Sequence, residues 1–168
     1  MSSRYFVCIP LAFIVLSCIS IWSTDGVSQI YNYNVTVQTA GSPKFDDHDG
    51  KLKIKLLYKT ETATSEEDFV LTPNAVKIEP NHHYESTIAS FGSLVNISSI
   101  YLRWTLASPY NPIYKIKKPS IYFDSLSLTQ INSDSSDYIT TIKKRRFCPP
   151  VFPVGIKHSD GATFYPCI

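Results

Sequence analysis

The feature that most constrains the fold is the strict alternation of apolar and polar side chains in several short stretches. Residues 51–56 read Lys-Leu-Lys-Ile-Lys-Leu, so that every second side chain is apolar. Successive side chains of a β-strand point to opposite sides of the sheet, so this stretch buries its apolar residues and leaves three lysines in water. Residues 31–38 and 100–106 alternate in the same way. These stretches predict strands with one buried face.

Shorter apolar runs lie at 68–71, 84–90, 120–128 and 138–142, and Gly, Pro, Asn and Asp residues separate them. No stretch shows the apolar period of an amphipathic helix. The 168 residues suffice for one ordinary domain but not for two well-cored ones. We therefore predict a single all-β domain, an antiparallel β-sandwich or barrel of seven or eight strands.

The first 28 residues differ from the rest of the chain. Arg4 precedes an apolar run at 5–22 that contains no charge, and small and polar residues follow at 23–28. This order is typical of a secretory signal peptide, and an uncleaved membrane anchor is the alternative. We predict a signal peptide at 1–28, a domain at 29–168, and a secreted, extracellular protein.

The cysteines and the glycosylation acceptors fit an extracellular protein. Two of the four cysteines leave with the signal peptide, and Cys148 and Cys167 remain. In an oxidising compartment this pair predicts one disulfide, with two unpaired thiols as the alternative. Asn34 in Asn-Val-Thr and Asn96 in Asn-Ile-Ser are predicted N-glycosylation sites.

Several motifs follow one another in order along the mature chain. They are Tyr-Asn-Tyr-Asn-Val-Thr-Val at 31–37, Leu-Lys-Ile-Lys-Leu-Leu-Tyr at 52–58, Phe-Val-Leu at 69–71, Gly92, Leu-Arg-Trp at 102–104, Lys-Lys at 143–144, Phe-Cys at 147–148, and Cys167. Their order and spacing resemble the PLAT domain that closes pancreatic, hepatic and lipoprotein lipases. The resemblance covers nearly the whole mature chain.

The resemblance implies an antiparallel sandwich of eight strands. In the lipases this domain engages lipid and partners such as colipase and heparan sulphate, while a preceding α/β-hydrolase domain performs hydrolysis. Here the predicted signal peptide runs directly into the PLAT-like region, so we expect no hydrolase domain. The expected function is a secreted, non-catalytic binding module for lipid surfaces, sulphated glycans or a lipase-related protein partner. The alternative is a truncated or alternatively started form of a secreted triacylglycerol lipase.

No arrangement in the sequence predicts catalysis. A serine hydrolase of the α/β type needs a Gly-x-Ser-x-Gly elbow, and the pairs Gly41-Ser42 and Gly92-Ser93 lack that spacing. The four histidines are scattered, and no triad is evident. We expect no enzyme activity and no cofactor.

A run of four cations, Lys143, Lys144, Arg145 and Arg146, is the sharpest functional feature. Arg forks onto oxyanions and Lys acts as a point charge, so the run predicts a site for sulphate or phosphate groups. By the resemblance, a heparan sulphate-like glycan is the expected ligand. The alternatives are a solvated strand end and a dibasic protease site.

Residues 29–102 carry six lysines and nine acids, a net charge of −3, whereas residues 103–168 carry nine cations and four acids, a net charge of +5. We therefore expect any anion-binding surface in the C-terminal half. A nuclear localisation signal is not expected in a secreted protein, so the basic run is not interpreted as one. No nucleic-acid partner is expected.

The segment 108–118 interleaves apolar and basic residues, and the resemblance places a lipid-inserting loop here. This chain has tyrosines and isoleucines where the lipases carry exposed tryptophans. Tyrosine favours a membrane interface and lysine an anionic surface, so a lipid-binding loop is predicted, with an amphipathic strand edge as the alternative. Its predicted residues are Tyr110, Ile113, Tyr114, Lys115, Lys117 and Lys118.

Two groups of acids are the only weak candidates for a metal. Asp46, Asp47 and Asp49 are predicted to share one loop, with residues 66–68 in the next connection. Carboxylates suit calcium, but acidic loops are usually just solvated. We expect no metal site, with calcium as the weak alternative.

Overall fold

The structure is a computed structural model that describes residues 29–108, 110, 118–131 and 143–168. In these ranges the regular elements are ten β-strands, with no helix. They are β1 (Tyr31–Thr39), β2 (His48–Lys59), β3 (Thr64–Val70), β4 (Val76–Ile78), β5 (His83–Ser90), β6 (Ile97–Leu106), β7 (Ser120–Ile131), β8 (Lys144–Cys148), β9 (Val154–Lys157) and β10 (Gly161–Pro166).

The strands form two layers in which every pairing is antiparallel. One layer, the β1 sheet, has the order β5-β1-β7-β8, with β9 on the first part of β7. The other, the β2 sheet, has the order β3-β2-β6-β10, with β4 on the start of β2. Strand β10 joins the layers, because it pairs with β6 along residues 161–164 and with β8 at Tyr165 and Pro166. The predicted antiparallel β-sandwich is confirmed.

The core lies between the inner faces of the two sheets, as the alternation predicts. Val35 and Val37 of the β1 sheet are fully buried, as are Leu52 and Leu56 of the β2 sheet. Burying such a side chain stabilises the fold by about 1.5–3 kcal/mol. The largest fully buried side chain, Trp104, donates its Nε1–H to the carbonyl of Ile156 at 2.7 Å, so its polar group is satisfied inside the core.

Two β-bulges reverse the alternation inside long strands. In β7 the pairing with β1 skips Asp124, and the inward-facing residues change from Phe123 to Leu126. In β6 the pairing with β2 skips Ser98, between the buried Ile97 and Ile100. An extra residue in one strand shifts its two-residue period, so apolar residues on both sides of each bulge reach the same core.

The structure differs from the sequence prediction in two respects. The described residues form ten strands instead of seven or eight, and no predicted run corresponds to β4, β8, β9 or β10. Residues 66–68 lie within strand β3, not in a connection, since β3 pairs with β2 from Thr64 to Val70. The predicted strand at 138–142 and the predicted signal peptide at 1–28 lie outside the described residues. The described part of the chain contains no helix long and apolar enough to span a membrane.

The sandwich has two ends, which we name by one residue each. At the Lys144 end, strands β1, β6 and β8 begin, and the turn at 91–96 connects β5 to β6. At the Tyr110 end, strands β2, β5 and β7 begin, and β6 ends at Leu106. Lys144 and Tyr110, which belong to the two surfaces that the sequence predicts, therefore lie at opposite ends of the described sandwich.

Candidate functional site

The run of four cations at 143–146 is divided between two sides of strand β8. Lys144 and Arg146 are exposed on the outer face of the β1 sheet, and Lys143 is exposed just before the strand. Arg145 points inward, like its strand neighbour Phe147. Strand geometry forces this division, because adjacent residues of a strand face opposite ways. The four cations thus do not form one cluster on one face.

Arg145 is held by the turn at the Lys144 end. Its Nη1 group donates to the carbonyls of Leu94 at 2.8 Å, Ile97 at 3.0 Å and Val95 at 3.1 Å. Its guanidinium carbon lies 5.6 Å from the ring centroid of Phe147. Hydrogen bonds from a charged donor are stronger than neutral ones, so Arg145 holds this turn in place.

A second set of contacts supports the same turn from inside the sandwich. The Tyr33 hydroxyl donates to the Gly92 carbonyl at 2.8 Å, and Glu67 Oε1 accepts from the Tyr58 hydroxyl at 2.9 Å and from the Phe91 N–H at 3.1 Å. Burial, followed by the nearby Tyr31 and Glu67, raises the pKa of Tyr33 well above its usual value.

Gly92 has no room for a larger residue, because a Cβ atom there would lie 2.7 Å from Cγ of Tyr58. Sequence analysis gave Gly92 as a break between strands and as part of the PLAT resemblance, but did not predict this close packing. Sequence analysis also missed the anchoring by Glu67 and Arg145, since neither contact has a local sequence signal.

The turn borders an open groove of about 750 Å³ at the Lys144 end. Its lining combines cations, apolar groups and neutral polar groups: Gln29, Tyr31, Ser93, Leu94, Val95, Gln130, Lys143, Lys144 and Arg145. Val95 is 80% exposed, and three more apolar side chains at this end are exposed, Ile30 at 58%, Phe91 at 54% and Ile131 at 45%. The Lys144 end thus combines exposed apolar side chains with exposed lysines.

A separate shallow groove of about 440 Å³ crosses the outer face of the β1 sheet. Lys144 and Arg146 form one side of it, and hydroxyl and amide side chains form most of the rest: Thr36, Gln38, Asn81, Ser125 and Ser127. Asp124 also lines it, and burial raises the pKa of this carboxyl while the charge of Arg146 opposes the rise. The groove therefore offers two cations and many hydrogen-bonding groups to a ligand.

At the Tyr110 end the structure describes only part of the predicted lipid-binding loop. Tyr110 is 87% exposed, and Lys118 is exposed as well. The other predicted loop residues, Ile113, Tyr114, Lys115 and Lys117, lie outside the described residues. This loop stays a prediction.

The acids proposed as calcium ligands are not brought together. The Asp47 carboxylate lies 2.8 Å from the Lys77 ammonium, which also contacts Glu79 at 3.0 Å. Within the described ranges, no three His, Cys, Asp or Glu side chains are grouped so as to hold a metal ion. Asp46, Asp47 and Asp49 thus do not fit a calcium site in this arrangement.

The predicted disulfide between Cys148 and Cys167 is present, and it ties β8 to the chain end beyond β10. Of the two glycosylation acceptors, Asn96 is exposed in the 91–96 turn, directly after Val95. Asn34 is half-buried in the middle of β1, between Thr87 and Thr129 of the neighbouring strands. Glycan attachment stays a prediction at both.

Comparison with known proteins supports the fold and leaves the family unassigned. No known protein-family profile matches the sequence, and no curated protein matches it. Solved lipoxygenase structures do match. One is a lipoxygenase variant, with a TM-score of 0.53 and 14% identity, and another is a lipoxygenase in complex with arachidonate, with a TM-score of 0.51 and 13% identity. Each match covers 82% of this chain and 16% of the lipoxygenase.

This likeness shows the fold alone: the chain is an antiparallel β-sandwich of the PLAT type. The matched structures are lipoxygenases, so they support the PLAT type of fold but not the lipase branch that the sequence resembled. The chain spans about a sixth of the length of these proteins.

Proposed function

We propose that this protein is a secreted, non-catalytic binding module that docks onto anionic lipid surfaces through its Lys144 end. The observation that carries the proposal is that the exposed Val95 lies beside Lys143 and Lys144 along one groove, with three more exposed apolar side chains, Ile30, Phe91 and Ile131, at the same end. Apolar side chains enter the interfacial region of a membrane, while lysines attract anionic headgroups.

The magnitudes favour a weak, reversible attachment. Each Lys near an anionic membrane contributes about 1 kcal/mol. Complete burial of an apolar side chain such as Phe91 or Val95 contributes about 1.5–3 kcal/mol of binding free energy. The contribution here is smaller, because both side chains are already partly covered. The loss of free motion on association costs several kcal/mol. Docking therefore depends on the apolar and the charged groups together.

Three further points support the proposal. The PLAT type of sandwich leaves loops and turns at its two ends, where binding surfaces commonly lie. Arg145, Tyr33 and Glu67 hold the 91–96 turn in one conformation, so docking does not have to order it. The segment at 1–28 has the pattern of a secretory signal peptide.

The test is flotation of the purified mature domain with vesicles of phosphatidylcholine and phosphatidylserine. We expect Val95→Asp to reduce the bound fraction about tenfold, because it removes an apolar contact with the membrane. We expect a similar reduction for Lys143→Ala with Lys144→Ala, because this double variant removes the attraction to anionic headgroups. The matched control is Val151→Asp, because Val151 is 70% exposed and lies in the connection from β8 to β9.

Val151→Asp should bind as the wild type does. If Val95→Asp also binds like the wild type, the Lys144 end is not the docking surface. If only Tyr110→Ala loses vesicle binding, the docking surface is the lipid-binding loop that the sequence predicted.

A second candidate function is capture of a sulphated glycan, such as heparan sulphate, on the outer face of the β1 sheet. The observation in its favour is that Lys144 and Arg146 face a groove rich in hydroxyl and amide groups. We expect Lys144→Ala with Arg146→Ala to elute from heparin at clearly lower salt than the wild type, and Lys59→Ala with Lys157→Ala to serve as the charge-matched control. If the two double variants elute at the same salt concentration, the outer face of the β1 sheet is not the glycan-binding site. A protein partner stays a prediction from the resemblance.

A further inference from the structure

The outer face of the β2 sheet carries two cations directly opposite each other. Lys53 in β2 pairs in register with Arg103 in β6, and both side chains are exposed. On its other side Lys53 faces Val70 of β3, which is 51% exposed. Directly opposite residues in an antiparallel pair have their Cβ atoms about 5 Å apart, so the two charges are close neighbours.

Within the described part of the chain, Lys53 and Arg103 have no ion pair with an acid, whereas Lys55, the next lysine along β2, has two. Lys55 contacts Glu66 at 2.8 Å and Asp68 at 4.0 Å. Among the described residues, neither Lys53 nor Arg103 has an ion pair with an acid within 4.0 Å. Asp68 borders the same groove, but its carboxylate is the one that contacts Lys55.

The sheet leaves this pair accessible. The residue beside Arg103 on β10 is Gly161, which has no side chain. The ring of Tyr101 occupies the space over Gly161 and lines the same groove. The groove here measures about 380 Å³ and is lined by Lys53, Lys55, Asp68, Val70, Tyr101 and Arg103, with the edges of Ile54 and Phe69.

The positive potential extends beyond the pair. Burial lowers the pKa of His158, and the charges of Lys118 and Arg103 lower it further, while Asp160 opposes them. Arg103 and Lys118 thus both act electrostatically on His158.

Like charges directly opposite in a sheet destabilise it. Replacing either Lys53 or Arg103 by threonine, a residue that favours strands, would remove this repulsion. An exposed arrangement that costs stability is the kind expected where an anion binds.

We propose that Lys53 and Arg103 form a binding site for a phosphate or sulphate group. Arg103 would contact two oxygens of the anion through its guanidinium fork, and Lys53 would add a point charge. The site lies on the outer face of the β2 sheet, away from the Lys144 end, so it is distinct from the proposed lipid-docking surface.

The experiment measures the thermal midpoint Tm in sodium chloride, sodium phosphate and sodium sulphate at one ionic strength, which holds screening constant. An anion that binds only the folded protein raises Tm with its concentration. The variants are Lys53→Thr and Arg103→Thr, and the control is Lys55→Thr, which removes a cation from the same face.

In chloride we expect Lys53→Thr to raise Tm by about 1 °C, because it removes the repulsion, and Lys55→Thr to lower it, because it breaks an ion pair. Phosphate and sulphate stabilise all four proteins to some extent because they are excluded from protein surfaces. Binding at the site should make the rise in Tm over chloride clearly larger for the wild type and for Lys55→Thr than for Lys53→Thr and Arg103→Thr.

The proposal is overturned if the wild type shows no rise over chloride, or if all four proteins show the same rise. Vesicles of phosphatidylcholine with phosphatidate distinguish the source of the anion. A lipid headgroup is the ligand if Lys53→Thr lowers vesicle binding in a Val95→Asp background, and a soluble anion if it does not. The Tm series contains no vesicles, so failure of the lipid-docking function leaves that result unaffected.

Discussion

His158 shows how a single residue connects parts of the chain that are distant in sequence. Its Nδ1 accepts the N–H of Leu106 at 3.0 Å, at the end of β6, and its ring meets the edge of Trp104 at a centroid distance of 5.8 Å. Because Nδ1 accepts a hydrogen bond, the ring is neutral in this arrangement. Protonation would place a hydrogen on Nδ1 and remove the bond to Leu106.

We predict that His158 makes the protein less stable in mild acid. Burial, with Lys118 and Arg103, lowers its folded pKa below the ordinary 6.5, while Asp160 acts the other way. At pH values between the folded pKa and 6.5, His158 binds more protons in the unfolded chain than in the folded one. The contribution of His158 to the free energy of unfolding is therefore fully present above about pH 6.5 and is lost as the pH falls through the folded pKa.

The measurement is Tm from pH 8 to pH 5 for the wild type and for His158→Asn, whose side-chain oxygen can still accept a hydrogen bond without titrating. The other histidines remain in both proteins, so the difference between the two curves isolates His158. Parallel curves over the whole range would refute the prediction.

At the scale of elements, strands and turns place the two glycosylation acceptors in different environments. Asn34 lies in β1, which is paired on both sides, with β5 and with β7. Asn96 lies in the 91–96 turn, where its N–H donates to the Ser93 carbonyl at 2.9 Å and its carbonyl accepts from the Lys59 N–H at 3.0 Å. A glycan on Asn96 would therefore project from a fixed turn beside Val95.

We predict that glycosylation of Asn96 opposes docking to lipid. A bulky, hydrated glycan next to Val95 keeps the apolar side chains of the Lys144 end away from a membrane. In protein secreted from a glycosylating host, Asn96→Gln should bind anionic vesicles several-fold better than the wild type. This substitution is preferable to Ser98→Ala, because the Ser98 hydroxyl donates to the Leu57 carbonyl at 3.0 Å.

The control is Asn34→Gln, since Asn34 lies on the outer face of the β1 sheet. Mass mapping of the tryptic peptides establishes occupancy at each asparagine. If Asn96 carries a glycan and Asn96→Gln binds no better than Asn34→Gln, the glycan does not control the docking end.

At the scale of the whole molecule, the fold mixes the acidic and basic halves of the chain. The β2 sheet combines β2 and β3 from the first half with β10 from the second, and the β1 sheet combines β1 and β5 with β7 and β8. The net charges of −3 and +5 therefore do not separate into two surfaces. The proposed oxyanion site shows this directly, because Lys53 belongs to the acidic half and Arg103 to the basic half.

The sequence alone was sufficient for the long alternating strands, the core and the disulfide, but not for β4, β8, β9 and β10. Leu52, Ile54 and Trp104 were predicted to be buried, and all are 2% exposed or less. This success has a local cause, because the period of two is visible within six residues and sets which side of a strand is apolar. The pairing of Cys148 with Cys167 followed from there being only two cysteines after the predicted cleavage.

Only the tertiary structure decided which functional groups lie together. It turned Arg145 away from Arg146 onto the carbonyls of the 91–96 turn, and it placed Lys53 opposite Arg103. It also put Lys144 and Tyr110 at opposite ends of the described sandwich. The register between strands far apart in sequence depends on core packing and on the bulges at Ser98 and Asp124, and no local pattern records it. Alternation thus determined that this chain is a β-sandwich, and strand register determined where it offers binding surfaces.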